Sequence, residues 1–200
     1  MRVSREQAAQ NKERVIETAS RLFREHGFDG IGLKDLMAGA GLTQGGFYKQ
    51  FASKDELTAL ASRRAIASSA ERWSSAAASR PDDPLSAVAE FYLSTEHVAE
   101  RAEGCAFVAL ASDAARQGPA VKAEFEAGIR ANLDMIASLS AGEDRDALLA
   151  RLSMMVGAVL LSRTVNDEAL ARQILNAAGY QIDGRARTTN GEQARAQERG

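Results

Sequence analysis

Residues 42–57 read LTQGGFYKQFASKDEL, and this stretch predicts a short helix with a weakened first turn. Thr43 is a favourable N-cap, because its hydroxyl can accept a hydrogen bond from an amide of that turn. Two adjacent glycines, Gly45 and Gly46, follow at positions where each costs about 1 kcal/mol relative to alanine in a helix interior. The two glycines therefore indicate a role for this segment other than forming a stable helix.

The residues before this stretch predict two further helices. Gly27 and Phe28 are typical of a helix end, since a glycine takes the left-handed position and the next apolar residue folds back. A second, short helix is expected from about Leu33 to Ala40, after which Gly41 reverses the chain. The first helix is predicted by apolar residues at helical spacing: Val15, Ile16, Ala19, Leu22 and Phe23.

A helix, a glycine-containing turn and a short helix form a helix-turn-helix unit, whose second helix lies in the major groove of DNA. On a helical wheel, Phe47 and Phe51 face the other two helices. The adjoining arc offers groups suited to phosphates and base edges: Gln44, Gly45, Tyr48 and Lys49. Without side chains, the glycines would let backbone amides approach a phosphate closely. The alternative is that they only mark a loop between two helices.

The remainder of the chain also has helical periodicity and lacks the alternation typical of strands. SKDE at residues 53–56 is a capping box that begins a fourth helix, which is expected to run to about Trp73. Residues 74–84, SSAAASRPDDP, break the pattern, and we place a hinge near them. Further helices are predicted at about 85–100, 105–116, 119–140, 145–163 and 167–178, with Gly179 as a stop.

These patterns predict an all-α protein of about nine helices, divided into a head and a body. The head, residues 1–53, holds the three helices of the helix-turn-helix unit, and the body, residues 54–180, starts with the fourth helix as the link. The helices at about 145–163 and 167–178 are widely apolar, so we expect them to form a four-helix bundle with a second copy. Residues 181–200 have almost nothing to bury and are expected to be disordered.

The distribution of charge and cysteine narrows the class of protein. Residues 1–64 carry a formal charge of +3 and residues 65–200 a charge of −5, which suits a small nucleic-acid reader on a larger body. A single cysteine excludes an internal disulfide framework and fits a reducing compartment. The first twelve residues lack the apolar core of a secretory signal, and no apolar run is long enough to span a bilayer. We therefore expect a soluble, cytoplasmic protein without membrane contact.

The segment GFDGIGLKDLMAGAGLTQGGFYKQFASKDEL, residues 27–57, resembles the DNA-binding segment of the TetR family of bacterial transcriptional regulators. The likeness covers roughly Asn11 to Leu60, and the remainder resembles the family in architecture. It implies a homodimer of all-helical chains, each with a three-helix DNA-binding head and a larger effector-binding and dimerisation body. The partners it implies are a double-stranded DNA operator and a small-molecule effector of unknown identity.

The resemblance also implies which residues meet DNA. By position they are Thr43, Gln44, Gly45, Gly46, Tyr48 and Lys49, and Lys54 would add a phosphate contact from the start of the fourth helix. The chain departs from the family pattern at Ile31-Gly32, where a hydroxyl that caps the second helix is frequent, and at Gln50, where histidine is frequent. These departures concern phosphate contacts rather than the docking mode.

A ligand pocket in the body would be lined by apolar and aromatic residues from several helices. The candidates are Phe91, His97, Cys105, Phe107, Phe125, Met135 and Met154. Residues of these types more often form a core. Cys105 has two interpretations, a buried packing residue, which we favour, or a redox sensor.

Three functional classes follow from the sequence. The one we favour is a repressor that a small-molecule effector releases from a near-palindromic operator. The second is a DNA-binding or interaction module without an effector. The third, an all-helical enzyme, lacks a phosphate loop, a nucleophile–histidine pair or marked paired carboxylates, and His26 and His97 lack metal-ligand spacing. We therefore expect no enzyme activity, no cofactor and no metal.

Overall fold

The computed structural model describes residues 4–140 and 142–183, and every regular element in those ranges is a helix. The predicted all-α fold is confirmed. The elements are α1 (Arg5–His26), α2 (Leu33–Gly39), a 3₁₀ helix (Gln44–Lys49), α3 (Lys54–Ser79), α4 (Pro84–Tyr92), α5 (Thr95–Ala99), α6 (Ala106–Ala114), α7 (Pro119–Leu139), α8 (Arg145–Ser162) and α9 (Glu168–Asp183).

The first three helices form a small unit around buried aromatic rings. Phe23 of α1 meets Phe28 edge to face at 5.2 Å between ring centroids, and Phe47 stacks on Phe51 at 5.3 Å. All four rings are buried, as are Leu36 and Met37 of α2. Glycines with positive φ end α1 and precede the 3₁₀ helix, Gly27 at 77° and Gly41 at 69°, so both predicted turns are confirmed.

Helix α3 runs from the head into the body and is longer than predicted, since it ends at Ser79 rather than near Trp73. Ser53 caps it, accepting a hydrogen bond of 3.1 Å from the amide of Glu56. The returning bond of the predicted capping box differs, because the Glu56 carboxylate accepts from the amide of Ala52 at 2.6 Å instead of from Ser53. Both bonds fix the start of α3 beside the head.

The turn after α3 lies within the body. Residues 80–83 lead directly into α4, and the rings of Trp73 and Tyr92 meet edge to face at 5.3 Å. The proposed hinge near residues 74–84 is therefore a turn between two packed helices. The predicted helix at 85–100 is two helices, because Ser94 caps α5 by accepting a hydrogen bond from the amide of His97.

Helix α9 continues beyond its predicted end. It passes through Gly179, which has no positive φ, and reaches Asp183. Ile182 is only 5% exposed and extends the buried stripe of Leu175 and Ala178, which explains why the helix persists. The predicted disordered tail is thus wrong for residues 181–183, and the rest of that prediction lies outside the described residues.

The body is tightly packed where α3, α6 and α7 meet. Gly128 of α7 sits against α3, and a Cβ atom there would lie 2.6 Å from Ile66 and 3.0 Å from the ring of Phe107. The ring of Phe107 in turn meets Phe125 edge to face at 5.7 Å. Side chains therefore fill the space between these three helices. Within the described ranges, no helix is long and apolar enough to cross a membrane.

Candidate nucleic-acid interface

The short helix predicted after Thr43 spans Gln44–Lys49 and is a 3₁₀ helix rather than an α-helix. The Thr43 carbonyl accepts a hydrogen bond of 3.0 Å from the amide of Gly46, whereas the Thr43 side chain makes no capping bond. Thr43 is thus the N-cap by position, but the predicted hydroxyl cap is wrong. In a 3₁₀ helix, side chains three residues apart line up, so Gly45 lies under Tyr48.

This helix has one buried anchor and one open face. Phe47 is fully buried, whereas Tyr48 is 74% exposed. Thr43, Gln44, Gly45 and Lys49 are exposed as well, and Gly46 is half-buried. The structure therefore brings the predicted DNA-facing residues, apart from Lys54, to one surface, which we call the reading surface: Thr43, Gln44, Gly45, Gly46, Tyr48 and Lys49.

The fold gives no reason for glycine at positions 45 and 46. Neither residue has a positive φ. A Cβ atom on Gly45 would meet no atom within 4 Å, and one on Gly46 would only touch the methyl group of Met37 at 3.9 Å. A Cβ atom would thus fit at either position without strain among the described residues, and at Gly45 it would point into open space.

Lys54 is placed differently from the expectation. Its ammonium group donates hydrogen bonds to the carbonyl of Phe28 at 2.7 Å and to that of Ile31 at 3.4 Å. Both carbonyls belong to the loop between α1 and α2, so the side chain is directed into the protein. Lys54 therefore holds this loop on α3, and its phosphate contact stays a prediction. Gly32, the N-cap of α2, makes no side-chain cap, as expected from its residue type.

Asp113 joins the body to the same loop. Its carboxylate Oδ2 accepts a hydrogen bond of 3.0 Å from the amide of Phe28, and Oδ1 accepts one of 2.5 Å from Arg116. The backbone of Phe28 is therefore held on both sides, by Asp113 of α6 and by Lys54 of α3. Sequence reasoning missed Asp113, because its partner lies 85 positions away in the chain.

Arg24 makes a second connection between head and body. The residue is 4% exposed, and its guanidinium donates to the carbonyls of Ser20 at 3.0 Å and Gly104 at 3.1 Å. The carboxylate of Glu103 lies 3.5 Å away. Burial lowers the pKa of Arg24, while nearby Glu103 acts in the opposite direction. Nothing near Arg24 in the sequence indicates this partner.

The seven predicted pocket residues do not form one pocket. Phe107 and Phe125 line an open groove of about 580 Å³ between α6, α7 and α8. Met154 lies in a different, shallow groove between α8 and α9, and Met135 packs half-buried against the core. The remaining three, Phe91, His97 and Cys105, line neither groove, and the role of the seven residues in ligand binding stays a prediction.

Phe91, His97 and Cys105 lie around Tyr92. The His97 ring packs 4.7 Å from that of Tyr92 and 5.5 Å from that of Phe91, and its Nδ1 is 2.7 Å from the Tyr92 carbonyl. Burial lowers the pKa of His97 and raises the pKa of the Cys105 thiol. A buried, protonated thiol suits a packing role. No three metal-ligating side chains cluster in the described parts of the chain.

Helices α8 and α9 present an apolar face to solvent. Leu161 is 55% exposed, and Leu160, Leu170 and Tyr180 are also largely exposed. A Cβ atom on Gly157 would meet nothing within 4 Å, so another helix could approach there. This is the face predicted to pair with a second copy, and we call it the α8–α9 face.

Comparison with known proteins agrees with the fold and the head. Residues 15–61 match the family model of bacterial regulatory proteins, tetR family. A solved TetR transcriptional regulator from Chloroflexus aurantiacus has a TM-score of 0.74 and 25% identity, over 88% of this chain and 94% of that one. The Cytophaga hutchinsonii TetR-family regulator also has a TM-score of 0.74, with 16% identity over 92% and 98% of the two chains.

A third similar structure is the reduced form of NemR from E. coli. Its TM-score is 0.72 and its identity 18%, over 88% of this chain and 96% of that one, so the likeness is one of fold. None of the curated proteins matches the chain.

Proposed function

We propose that this chain, a member of the TetR family of bacterial transcriptional regulators, is a homodimeric repressor that a small-molecule effector releases from a near-palindromic operator. The observation that carries the proposal is the open reading surface, where Gly45 and Gly46 leave room that the fold itself does not need. Exposed tyrosine and lysine side chains border that room. Such a surface suits the sugar–phosphate backbone and base edges of duplex DNA.

The residues of the reading surface have different proposed roles. Lys49 is exposed and forms no ion pair within the described residues, so its ammonium group is free to bind phosphate. The Thr43 hydroxyl, which makes no capping bond, is free to donate to phosphate as well. Gln44 carries the amide that can pair with an adenine edge in the major groove. The two glycines admit the DNA backbone close to the helix.

Lys54 and Asp113 position the head rather than bind DNA. Both hold the backbone of Phe28, whose ring is buried in the head core. We propose that the head comprises residues up to 53 and that α3 carries its movement to the body. The Arg24–Gly104 bond attaches α1 to the loop that precedes α6, so a shift of α6 would act on the head at two places.

The dimer is proposed to form through the α8–α9 face. Exposed leucines and an open glycine on α8 allow close packing of a second copy, and burying them would stabilise the pair by removing apolar area from water. The two heads would then contact half-sites about one helical turn of DNA apart, or a multiple of it. An effector that binds better when the heads are misplaced lowers operator affinity, and by linkage DNA lowers effector affinity equally.

Selection of duplexes from a random pool tests the proposal. The full chain should enrich a near-palindrome and bind it as one dimer in a mobility-shift assay. A control protein with Tyr48→Ala and Lys49→Ala, both on the exposed face, should enrich no sequence although it stays folded and dimeric. Enrichment of a sequence without two-fold symmetry, or no enrichment by the parent, would contradict the proposal.

A further inference from the structure

The groove between α6, α7 and α8 has an apolar floor. Phe107 and Phe125 meet edge to face at its base, and Ile129 and Leu149 remain partly exposed to solvent on its sides. Its volume of about 580 Å³ falls within the range of small-molecule sites. The other apolar residues that line it are Ala111, Ala114, Ala115 and Leu133.

The rim of the groove is positively charged, although residues 65–200 as a whole carry a charge of −5. Lys122, Arg130 and Arg145 line it, and Glu126 is the one acidic residue among the lining residues that the structure describes, while Asp144 and Asp146 flank Arg145 in the chain. Arg130 is paired with Glu126 at 2.7 Å on the same helix. Lys122 and Arg145 have no carboxylate partner in the parts of the chain that the structure describes. Two cations are therefore left for a ligand.

We propose that this groove is the effector site and that its ligand is a hydrophobic carboxylate. The apolar part of the ligand lies on the Phe107–Phe125 floor, and its carboxylate is bound by Lys122 and Arg145 at the rim. A basic rim on an acidic body attracts anions and discriminates against cations of the same shape. This inference rests on the proposed function of a ligand-responsive regulator.

The groove is placed to act on the head. Ala111 and Ala114 of α6 and Ala115, its C-cap, line the groove, and Asp113 of α6 accepts a hydrogen bond from the amide of Phe28. A ligand that displaces α6 therefore moves the carboxylate that fixes the loop after α1. Binding in the groove and the position of the head are coupled through one short helix.

Direct binding to the full chain tests the inference without DNA. Three compounds are titrated into the protein by calorimetry: octanoate, an aliphatic carboxylate; 2-naphthoate, an aromatic carboxylate; and 1-octanol, an uncharged aliphatic alcohol. We expect at least one carboxylate to bind once per chain and about five-fold or more tighter than 1-octanol, as two partly exposed ion pairs would give. Octanoate tighter than 2-naphthoate identifies an aliphatic ligand, and the reverse order an aromatic one.

Variants assign the binding to the groove. Lys122→Gln with Arg145→Gln should remove the preference for carboxylates, and Leu149→Glu should abolish binding by placing a like charge beside the apolar floor. Arg172→Gln on α9 removes one positive charge away from the groove and should bind as the parent does, because Arg172 pairs with Glu168 on its own helix. Each variant is checked for its thermal unfolding and its dimeric state.

Three results would overturn the inference. They are equal binding of octanoate and 1-octanol, unchanged binding by the Lys122–Arg145 double variant, and conversion of the dimer to a monomer by Leu149→Glu, which would make the groove a subunit contact. Operator binding without ligand is measured alongside. If the parent does not bind the operator, the proposed function is contradicted. If the parent binds the operator but no carboxylate, only the assignment of the groove is contradicted.

Discussion

The carboxylate of Asp113 accepts a hydrogen bond of 3.0 Å from the backbone amide of Phe28. Asp113 lies on α6 in the body, and Phe28 lies in the loop that follows α1 in the head. The neighbouring Gly27 approaches so closely that a Cβ atom there would be 2.7 Å from the same oxygen. This bond makes α6 a direct link between the proposed effector groove and the loop after α1 in the head.

Replacing Asp113 tests this link. Asp113→Ala leaves the Phe28 amide without its acceptor, so the free energy of unfolding should fall by about 1.5–3 kcal/mol, the range for hydrogen bonds to charged groups. Operator affinity should also change less on addition of effector. Urea unfolding at one protein concentration and operator titration with and without effector measure the two effects. Asp113→Asn, which keeps an acceptor oxygen, should lie between parent and Asp113→Ala; a fully stable, fully responsive Asp113→Ala would contradict the link.

Gly27→Ala should destabilise the head for two separable reasons. Gly27 has φ 77° and ψ 170°, a backbone conformation that is essentially restricted to glycine and costs about 1–3 kcal/mol for other residues. The new methyl group would in addition press on the Asp113 carboxylate. The double variant with Asp113→Ala keeps the backbone strain and removes the contact. We expect Gly27→Ala to cost less stability in that background, and equal costs in both backgrounds would show that the close contact is immaterial.

His97 should make the protein less stable in mild acid. Burial lowers the pKa of His97 in the folded state, so below the unfolded-state pKa of about 6.5 the unfolded chain binds the proton first. The contribution of neutral His97 is complete above that pH and is lost as pH falls toward the folded-state pKa. Urea unfolding between pH 5 and 7.5, compared for the parent and His97→Gln, should show a steeper decline for the parent. Parallel pH profiles would contradict this assignment.

Replacing Lys49 should weaken DNA binding, whereas replacing Lys54 should lower the stability of the fold. Lys49→Ala should weaken binding to all duplexes and reduce the slope of log affinity against log salt by about 2 per dimer, one for each phosphate that the lysine no longer neutralises. Lys54→Ala should leave that slope unchanged and lower the unfolding temperature, because the carbonyls of Phe28 and Ile31 lose their donor. A reduced salt slope for Lys54→Ala would restore the phosphate contact that its sequence position suggests.

Sequence periodicity sufficed for the helices of the head, because their core residues lie within one or two turns of each other. Gly27 and Gly41 both have a positive φ, a local backbone requirement that favours glycine, so both turns could be identified from the sequence. The split between α4 and α5 was missed, although Ser94 is a good N-cap, because the apolar pattern continues across it. The continuation of α9 past Gly179 was missed, because the glycine suggested a helix end and the burial of Ile182 depends on tertiary packing.

The roles of Lys54 and Asp113 could not be predicted, since each depends on a backbone group 26 or 85 positions away. The separation of the candidate pocket residues could not be predicted for the same reason. Phe107 and Cys105 are two residues apart, yet one lines an open groove and the other is buried beside Tyr92. Which apolar residues remain accessible is decided by helix packing, such as the crossing at Gly128, and not by residue type.

We propose that Gly45 and Gly46 of the 3₁₀ helix leave room for DNA. The most direct measurement is the operator affinity of Gly45→Leu by fluorescence anisotropy, with thermal unfolding of the same protein as the control. A leucine at position 45 meets no atom within 4 Å at its Cβ, so the fold should remain as stable as the parent. We expect Gly45→Leu to lose more than about tenfold in operator affinity, or about 1.4 kcal/mol. Parental affinity in a folded Gly45→Leu dimer would contradict it.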